Sequence, residues 1–237
     1  MNLPNLTNKK LFKIPLSYQC KSIILGSLLG NGSLKIYKGY KNARLSIRHS
    51  IIQKEYFDWK VDKLKEISSV FLTKHTFSSN CKLLFQSICD ERLTDIHYLT
   101  YSNNKLNIKR SWLNHLSAES LMIWWLDDGS LIGGKRKGVL CTDGFSKESV
   151  EILMNYLEVV WEVKSTLSER KIKDKSYYRI YFTTSELKKF FLIIMPYLPV
   201  KSMKYKVEIK YKDKELQERW ISIMNENLKL IENDIVQ

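Results

Sequence analysis

IILGSLLGNGSL, residues 23–34, is an apolar run that carries Gly26 and Gly30 four residues apart and then breaks at Asn31-Gly32. A glycine inside a helix costs about 1 kcal/mol relative to alanine. A helix that accepts this cost twice on one face needs a neighbour at very short range. That need arises in membrane helix packing, and where two helices touch backbone to backbone in water. LMIWWLDDGSL, residues 121–131, has the same shape: an apolar run, a polar residue, glycine, serine, leucine. Placing Gly32 on Gly129 sets the two stretches 97 residues apart.

At 237 residues the chain suits one large domain or two small ones, and 44% hydrophobic with 12% aromatic residues is enough for a packed core. No apolar run reaches the ~18–20 residues that a bilayer span requires, which removes the membrane reading of Gly26 and Gly30. The opening MNLPNLTNKKLFKIPLSY is too polar for a signal peptide, so a soluble protein with no membrane partner is expected. Cys20, Cys81, Cys89 and Cys141 form no C-x-x-C pair and have no close histidine partner. They read as four buried free thiols in a reducing compartment rather than a zinc site or disulfide framework. His49, His75, His97 and His115 show no ligand spacing and are assigned no role. The net charge of +14 is uneven: residues 1–118 hold 19 basic against 7 acidic side chains, and residues 119–237 hold 20 against 18. Such a surplus points to a polyanionic partner, most commonly nucleic acid.

The segments downstream of the two glycine-rich stretches also repeat. After the first, SLKIYKGYKNARLSIRHS alternates around a Lys-Gly-Tyr-Lys-Asn turn, with Lys35 and Tyr37 opposite Ile36, and Arg44, Ser46 and Arg48 opposite Leu45 and Ile47. That is a hairpin with one apolar and one basic face. KEYFDWKVDKLKEISSVF then places Phe57, Val61 and Leu64 at helical spacing, and KLLFQSI reads as a further strand. In the second half a turn, GGKRKG, leads through VLCTDGF to the helix SKESVEILMNYLEVVW, started by Ser146, with Val150, Leu153, Met154, Leu157 and Val160 expected on one buried stripe. A hairpin comes next in STLSERKIKDKSYYRIYFT, and then a helix in LKKFFLIIMPYLP. The expected class is α+β: two pseudo-symmetric αββαββα halves with a central pair of motif helices and two antiparallel sheets. The expected segments are an N-terminal arm (1–17), a first repeat (18–117), a second repeat (118–206) and a helical extension (207–237) carrying Trp220, Ile223, Leu228 and Ile231. The glycines then have a use. They let two motif helices touch at a pseudo-twofold axis, with Ile123 and Trp124 filling the space opposite Gly26 and Ser27.

On the paired motifs, the WW-x-DDGS signature, VLCTDGFSKESVEIL and PYLPVKSMKYK, the chain resembles the LAGLIDADG homing endonucleases in their single-chain, two-motif form, in the yeast omega-intron endonuclease-like branch. The resemblance runs over roughly residues 18–206. It implies that the last acidic residue of each motif helix holds a divalent metal over a scissile phosphate. Residues 121–129 match the motif position by position, which puts one such carboxylate on Asp128. The first motif, residues 24–32, departs from the pattern by placing Asn31 there. Asparagine keeps a carbonyl oxygen and loses a negative charge, so weaker metal binding and slower cleavage of at least one strand are expected. The implied metal site is Asp128 and Asn31 with Gly32 and Gly129, for Mg²⁺ or Mn²⁺, with Ca²⁺ a non-catalytic substitute. Lys105 and Lys206 are the implied basic residues beside it. Asp127 reads as structural or outer-sphere, because successive helix residues diverge by ~100° and cannot both point at one ion.

Candidate DNA contacts are Lys35, Tyr37, Arg44, Ser46 and Arg48 on the first sheet, and Lys135, Arg136, Lys137, Arg170, Lys173, Tyr177 and Arg179 on the second. A two-stranded ribbon fits the major groove, where arginine reads guanine and lysine neutralises phosphate. The resemblance implies a Mg²⁺-dependent endonuclease of intron-encoded type that acts as a monomer on a long asymmetric double-stranded DNA site. The abundance of Lys, Asn and Ile suits an AT-rich organellar genome, mitochondrial or chloroplast. The rival expectation is a cleavage-dead DNA binder, or a maturase that binds group I intron RNA.

Overall fold

The computed structural model describes residues 14–69 and 82–235. Two helices form its centre: α1 (Tyr18–Leu29) and α5 (Ala118–Asp128). Each starts at a serine cap. Ser17 accepts from the Cys20 N–H, and Ser117 forms a reciprocal capping box with Ser120. Both helices are buried on nearly every side, as an apolar helix without a polar face must be. At their N-terminal ends they are joined by Ser22 Oγ to Ser117 Oγ at 2.8 Å and by Gln19 to Glu119 at 3.3 Å.

The two glycines set the contact. A Cβ on Gly26 would meet the Ser120 carbonyl and come within 2.8 Å of Ile123 Cβ; a Cβ on Gly30 would lie 2.5 Å from Asp127 Cβ. Ile123 therefore stands against Gly26, as expected. Trp124 is buried, and Ser27 receives the ammonium of Lys60 at 3.1 Å.

From the far end of α1 the chain enters β1 (Gly32–Lys35), then β2 (Arg44–Ser50), α2 (Lys54–Lys63) and β3 (Lys82–Gln86), an antiparallel sheet in the order β1-β2-β3. The fourth strand expected of this half would fall in residues 70–81, outside the described residues. The half continues with α3 (Glu91–Thr100), a short hairpin of β4 (Tyr101–Ser102) and β5 (Lys105–Leu106), and α4 (Arg110–Leu113). The hairpin is additional to the expected pattern.

The second half has the complete αββαββα order. After α5 come β6 (Gly129–Ile132), β7 (Lys137–Leu140), α6 (Lys147–Trp161), β8 (Thr166–Ile172), β9 (Lys175–Phe182) and α7 (Thr184–Ile194). The four strands pair antiparallel in the order β6-β7-β9-β8. Trp125 packs edge-on against Phe190 and Phe191, at 5.9 and 5.0 Å between ring centres. The extension is one helix, α8 (Lys214–Ile235), which seals this aromatic cluster with Trp220. Ile231 lies beyond the side chains described.

Two expectations of burial need correction. Cys20 is buried, but Cys89 and Cys141 are only half-buried, because each sits in a loop after a sheet strand; all three are free, and Cys81 lies outside the described residues. In α6 the buried stripe is Val150, Leu153, Tyr156 and Leu157, with Val160 exposed on the turn nearest the helix end. No helix among the described residues is long and apolar enough to cross a membrane.

Candidate active site and nucleic-acid interface

Both sheets begin where the motif helices end, so those helix ends and the first strands form one surface. Asp128 is the last residue of α5, half-buried, and opens onto a cavity of about 250 Å³ lined by Gly30, Gly32, Tyr101, Leu106 and Thr142. Its carboxylate takes no hydrogen bond from the described residues. Burial and the neighbouring Asp127 charge push its pKa up to about 7, against the pull of Lys206 and Lys60. The Lys206 ammonium donates to the Gly129 carbonyl at 2.7 Å, and the Lys206 carbonyl is held by Trp125 Nε1 at 2.9 Å. Burial lowers the Lys206 pKa, with Asp127 and Asp128 opposing.

Asn31 sits two residues beyond the end of α1. Its N–H donates to Asp127 Oδ2 at 3.3 Å, and its carbonyl accepts the Arg48 N–H at 3.3 Å. Lys105 is exposed on β5; its neighbour Leu106 lines the Asp128 cavity.

The register places the candidate DNA contacts on common faces. On the first sheet Lys35 opposes Arg44, and Ser46 and Arg48 lie on the same side, together with Ser33, Lys82 and Gln86. The other side carries Leu34, Leu45, Ile47, His49, Leu83 and Phe85, all buried. Tyr37 lies just past β1, beneath the Lys35 ammonium at 5.0 Å. On the second sheet Lys137, Arg170, Tyr177 and Arg179 share the face away from the core. Lys135 and Arg136 lie in the β6–β7 turn, where Lys135 pairs with Glu208 at 2.9 Å and Arg136 Nε donates to the Gly133 carbonyl. Lys173 occupies the β8–β9 turn with φ of 52°. Arg179 is gripped side-on by Asp143, Nε and Nη2 donating at 2.7 and 2.6 Å. That pairing occupies one edge of the guanidinium and leaves its outer fork available.

A buried polar cluster behind the helix ends was missed by the sequence reading. Lys60, fully buried on α2, donates to both Asp127 oxygens at 2.7 and 2.8 Å. Tyr56 OH donates to Asp127 Oδ1 at 3.0 Å. His49, assigned no role, is 3% exposed and completes the cluster. Its Nδ1 faces Gln53 Oε1 at 3.0 Å, and its Nε2 faces the Lys60 ammonium at 3.4 Å. A signal was present: Lys60 lies on the same helical stripe as Phe57 and Leu64.

Burial and the Lys60 charge lower the His49 pKa to about 4, only partly offset by Asp127. Unfolding releases this histidine to an ordinary value, so the unfolded chain takes up a proton as pH falls through 6.5. Stability is then lost down to about pH 4 and levels off below. Urea unfolding is expected to show that the His49 contribution costs roughly 2 kcal/mol between pH 7.5 and 5. His49→Gln should lose less over that interval, and equal losses in both proteins would exclude His49 as the source.

Comparison with known proteins agrees with this architecture. The sequence model of the LAGLIDADG DNA endonuclease family matches residues 21–190. Among curated proteins the chain is 29% identical over 201 residues to protein RecA of Mycobacterium gastri, covering 77% of this chain and 46% of that one. It is 28% identical over 204 residues to the cytochrome b mRNA maturase bI2 of Debaryomyces hansenii, covering 83% and 76%. It is 25% identical over 214 residues to the DNA endonuclease I-ChuI of Chlamydomonas applanata, covering 81% and 95%. The chain thus spans about half the length of the RecA relative and most of the other two. Among solved structures, the homing endonuclease I-WcaI bound to its DNA recognition sequence superposes with a TM-score of 0.71 at 25% identity, covering 87% of this chain and 96% of that one.

Proposed function

The chain belongs to the LAGLIDADG DNA endonuclease family, and from that membership we propose that it is an intron-encoded homing endonuclease that cuts both strands of a long, asymmetric DNA site. The observation that carries this reading is Asp128: a carboxylate without a hydrogen-bond donor among the described residues, at the end of the central helix pair, where two sheets with basic outer faces begin. The two halves lie in one chain and carry different residues at the answering strand positions Lys35 and Ile132, Arg44 and Lys137, and Ser46 and Val139, which suits a functional monomer on a target without symmetry. Likeness to I-WcaI and I-ChuI supports double-stranded DNA as partner, and likeness to a cytochrome b mRNA maturase supports an organellar host gene.

The donor set fits a divalent cation such as Mg²⁺ or Mn²⁺. Magnesium is typically held by one or two carboxylates, waters and substrate phosphates rather than by an all-protein cage. That agrees with the absence of any cluster of three His, Cys, Asp or Glu ligands among the described residues. Asp128 would be the anionic ligand, with Asn31 and the backbone at Gly32 and Gly129 supplying neutral oxygens. A cation held by these residues would polarise the phosphate and lower the pKa of a bound water. Lys206, anchored on Gly129, places its ammonium beside Asp128 to balance charge on the phosphate. Lys105 projects from the β4–β5 hairpin flanking the same cavity and would contact the phosphate backbone. The basic sheet faces hold the duplex across it.

A second reading is favoured by Asn31 and by the maturase relative: a protein on this fold that binds group I intron RNA and no longer cuts. Its basic surface suits either partner, since counterion release is blind to sequence. The test is cleavage of a randomised duplex library in Mg²⁺ and in Mn²⁺, run beside a splicing assay on intron RNA. Cut products with a defined consensus are expected. No cleavage together with faster splicing would replace the endonuclease reading by the maturase.

A further inference from the structure

The buried cluster is confined to one side of the pseudo-twofold axis. The two repeats are offset by 97 residues at the motif helices and, because the β6–β7 turn is shorter than its counterpart, by 93 from the second strand onward, where Ile47 answers to Leu140. The positions that answer to Tyr56 and Lys60 of α2 are therefore Ser149 and Leu153 of α6, and Leu153 is fully buried. The position that answers to Asp127 of α5 is Gly30 of α1. The same place in the scaffold is therefore filled by a leucine in one half and by a buried lysine, ion-paired to Asp127, in the other. Burying two charges costs more desolvation than their attraction reliably returns, and well-packed apolar replacements are often neutral or stabilising. Folding alone does not call for Lys60.

Its contacts show what it does instead. The ammonium, carried on α2, donates to Ser27 on α1 and to both carboxylate oxygens of Asp127 on α5. Asp127 in turn accepts the Asn31 N–H of the opposite motif. Gly30 leaves the room for this, since any side chain there would meet Asp127. Asp127 is also unavailable as a substitute for the carboxylate missing at position 31, because its oxygens are already committed to Lys60, Tyr56 and Asn31.

We infer that Lys60 is a positioning residue, which clamps Asp127 so that the end of the first motif, at Asn31, is held in register with Asp128 at the end of the second. It acts from behind the helix ends and, being fully buried, touches no nucleic acid. The inference rests on the endonuclease reading for its function, but the clamp itself is a property of the free protein.

The test uses Lys60→Met, which removes the cation and leaves Asp127 only its Tyr56 and Asn31 donors, and Lys60→Met/Asp127→Asn, which keeps an acceptor that needs no cation. In protein without DNA or divalent ions, hydrogen exchange at the Asn31 amide is expected to quicken at least about tenfold in the single variant and to return most of the way in the double. A double variant no better protected than the single, or an unchanged Asn31 amide in a folded variant, overturns the clamp. Should the single variant fail to fold, recovery of the fold and of Asn31 protection in the double supports it. In the Asn31→Asp background, Lys60→Met should slow single-turnover cleavage at saturating protein by at least about tenfold while duplex affinity in Ca²⁺ moves less than about twofold. Equal losses in both overturn the positioning role. If that background cuts no duplex, the endonuclease reading fails and the exchange experiment alone decides the clamp.

Discussion

Replacing Asn31 by aspartate is expected to accelerate cleavage of one strand by about 10²–10³-fold, the usual worth of a single group that stabilises transition-state charge. Asn31 stands where the first motif would carry its metal-binding carboxylate, and nothing else among the described residues on that side supplies one. Asp127 is the nearest acid, and Lys60, Tyr56 and Asn31 itself occupy it. An aspartate at position 31 would add a third carboxylate to the pair at 127 and 128. In the absence of divalent ions the variant should therefore melt below the parent. Mg²⁺ should raise its melting temperature more than the parent's, because a ligand that binds the folded state more tightly stabilises it more. The measurement is single-turnover cleavage of a duplex labelled separately on each strand, beside thermal melts with and without Mg²⁺. If both strands are cut at the parental rates, residue 31 does not limit the chemistry and the neutral oxygen of asparagine is sufficient. A selective gain on one strand would show that the two motifs serve different strands and that one of them runs at a handicap.

Asp128→Asn is expected to have the opposite and larger effect, lowering cleavage of both strands by roughly 10³-fold or more, since it removes the one carboxylate the motif pair offers. Binding of the same duplex in EDTA should hold or tighten, because a negative charge leaves the DNA-facing surface. The variant should also be more heat-stable than the parent. Burial and the Asp127 charge both work against an ionised carboxylate at this point, and an amide of the same shape is free of that penalty. Higher activity with the acid and higher stability without it is the trade expected of a functional residue. Strand-resolved cleavage, a binding titration and a melting curve test all three statements. Loss of activity accompanied by loss of stability would make Asp128 a structural residue and would move the chemistry elsewhere.

Much of this architecture is legible in the amino-acid pattern. Gly26 and Gly30 announce a close helix contact, and the matching apolar run at 121–131 identifies its partner. The alternation of Arg44, Ser46 and Arg48 with Leu45 and Ile47 announces a sheet with one buried and one basic face, and the register places them so. Ser146 marks the start of α6. The hairpin at residues 101–106 is not legible, because its strands are two residues long and carry no period. Arg179 could be nominated as a contact, but its pairing with Asp143, 36 positions earlier, leaves no local trace. Lys60 falls on the apolar stripe of Phe57 and Leu64, but its partner Asp127, 67 positions on, leaves no local trace.

The amino-acid sequence by itself determined the two-repeat plan, the helix pair at its centre, the basic sheet faces and the acid-to-amide difference between Asp128 and Asn31. These arise from patterns that repeat every two residues, every turn of helix or every half of the chain, and short-range sterics and solvent preference impose them. Only the tertiary structure decided which charges are taken out of water. Lys60 meets Asp127 across 67 positions, and the worth of a charge depends on the groups that replace its hydration. Those groups come from α1, α2, α5 and β2, which adjoin only once the chain has folded.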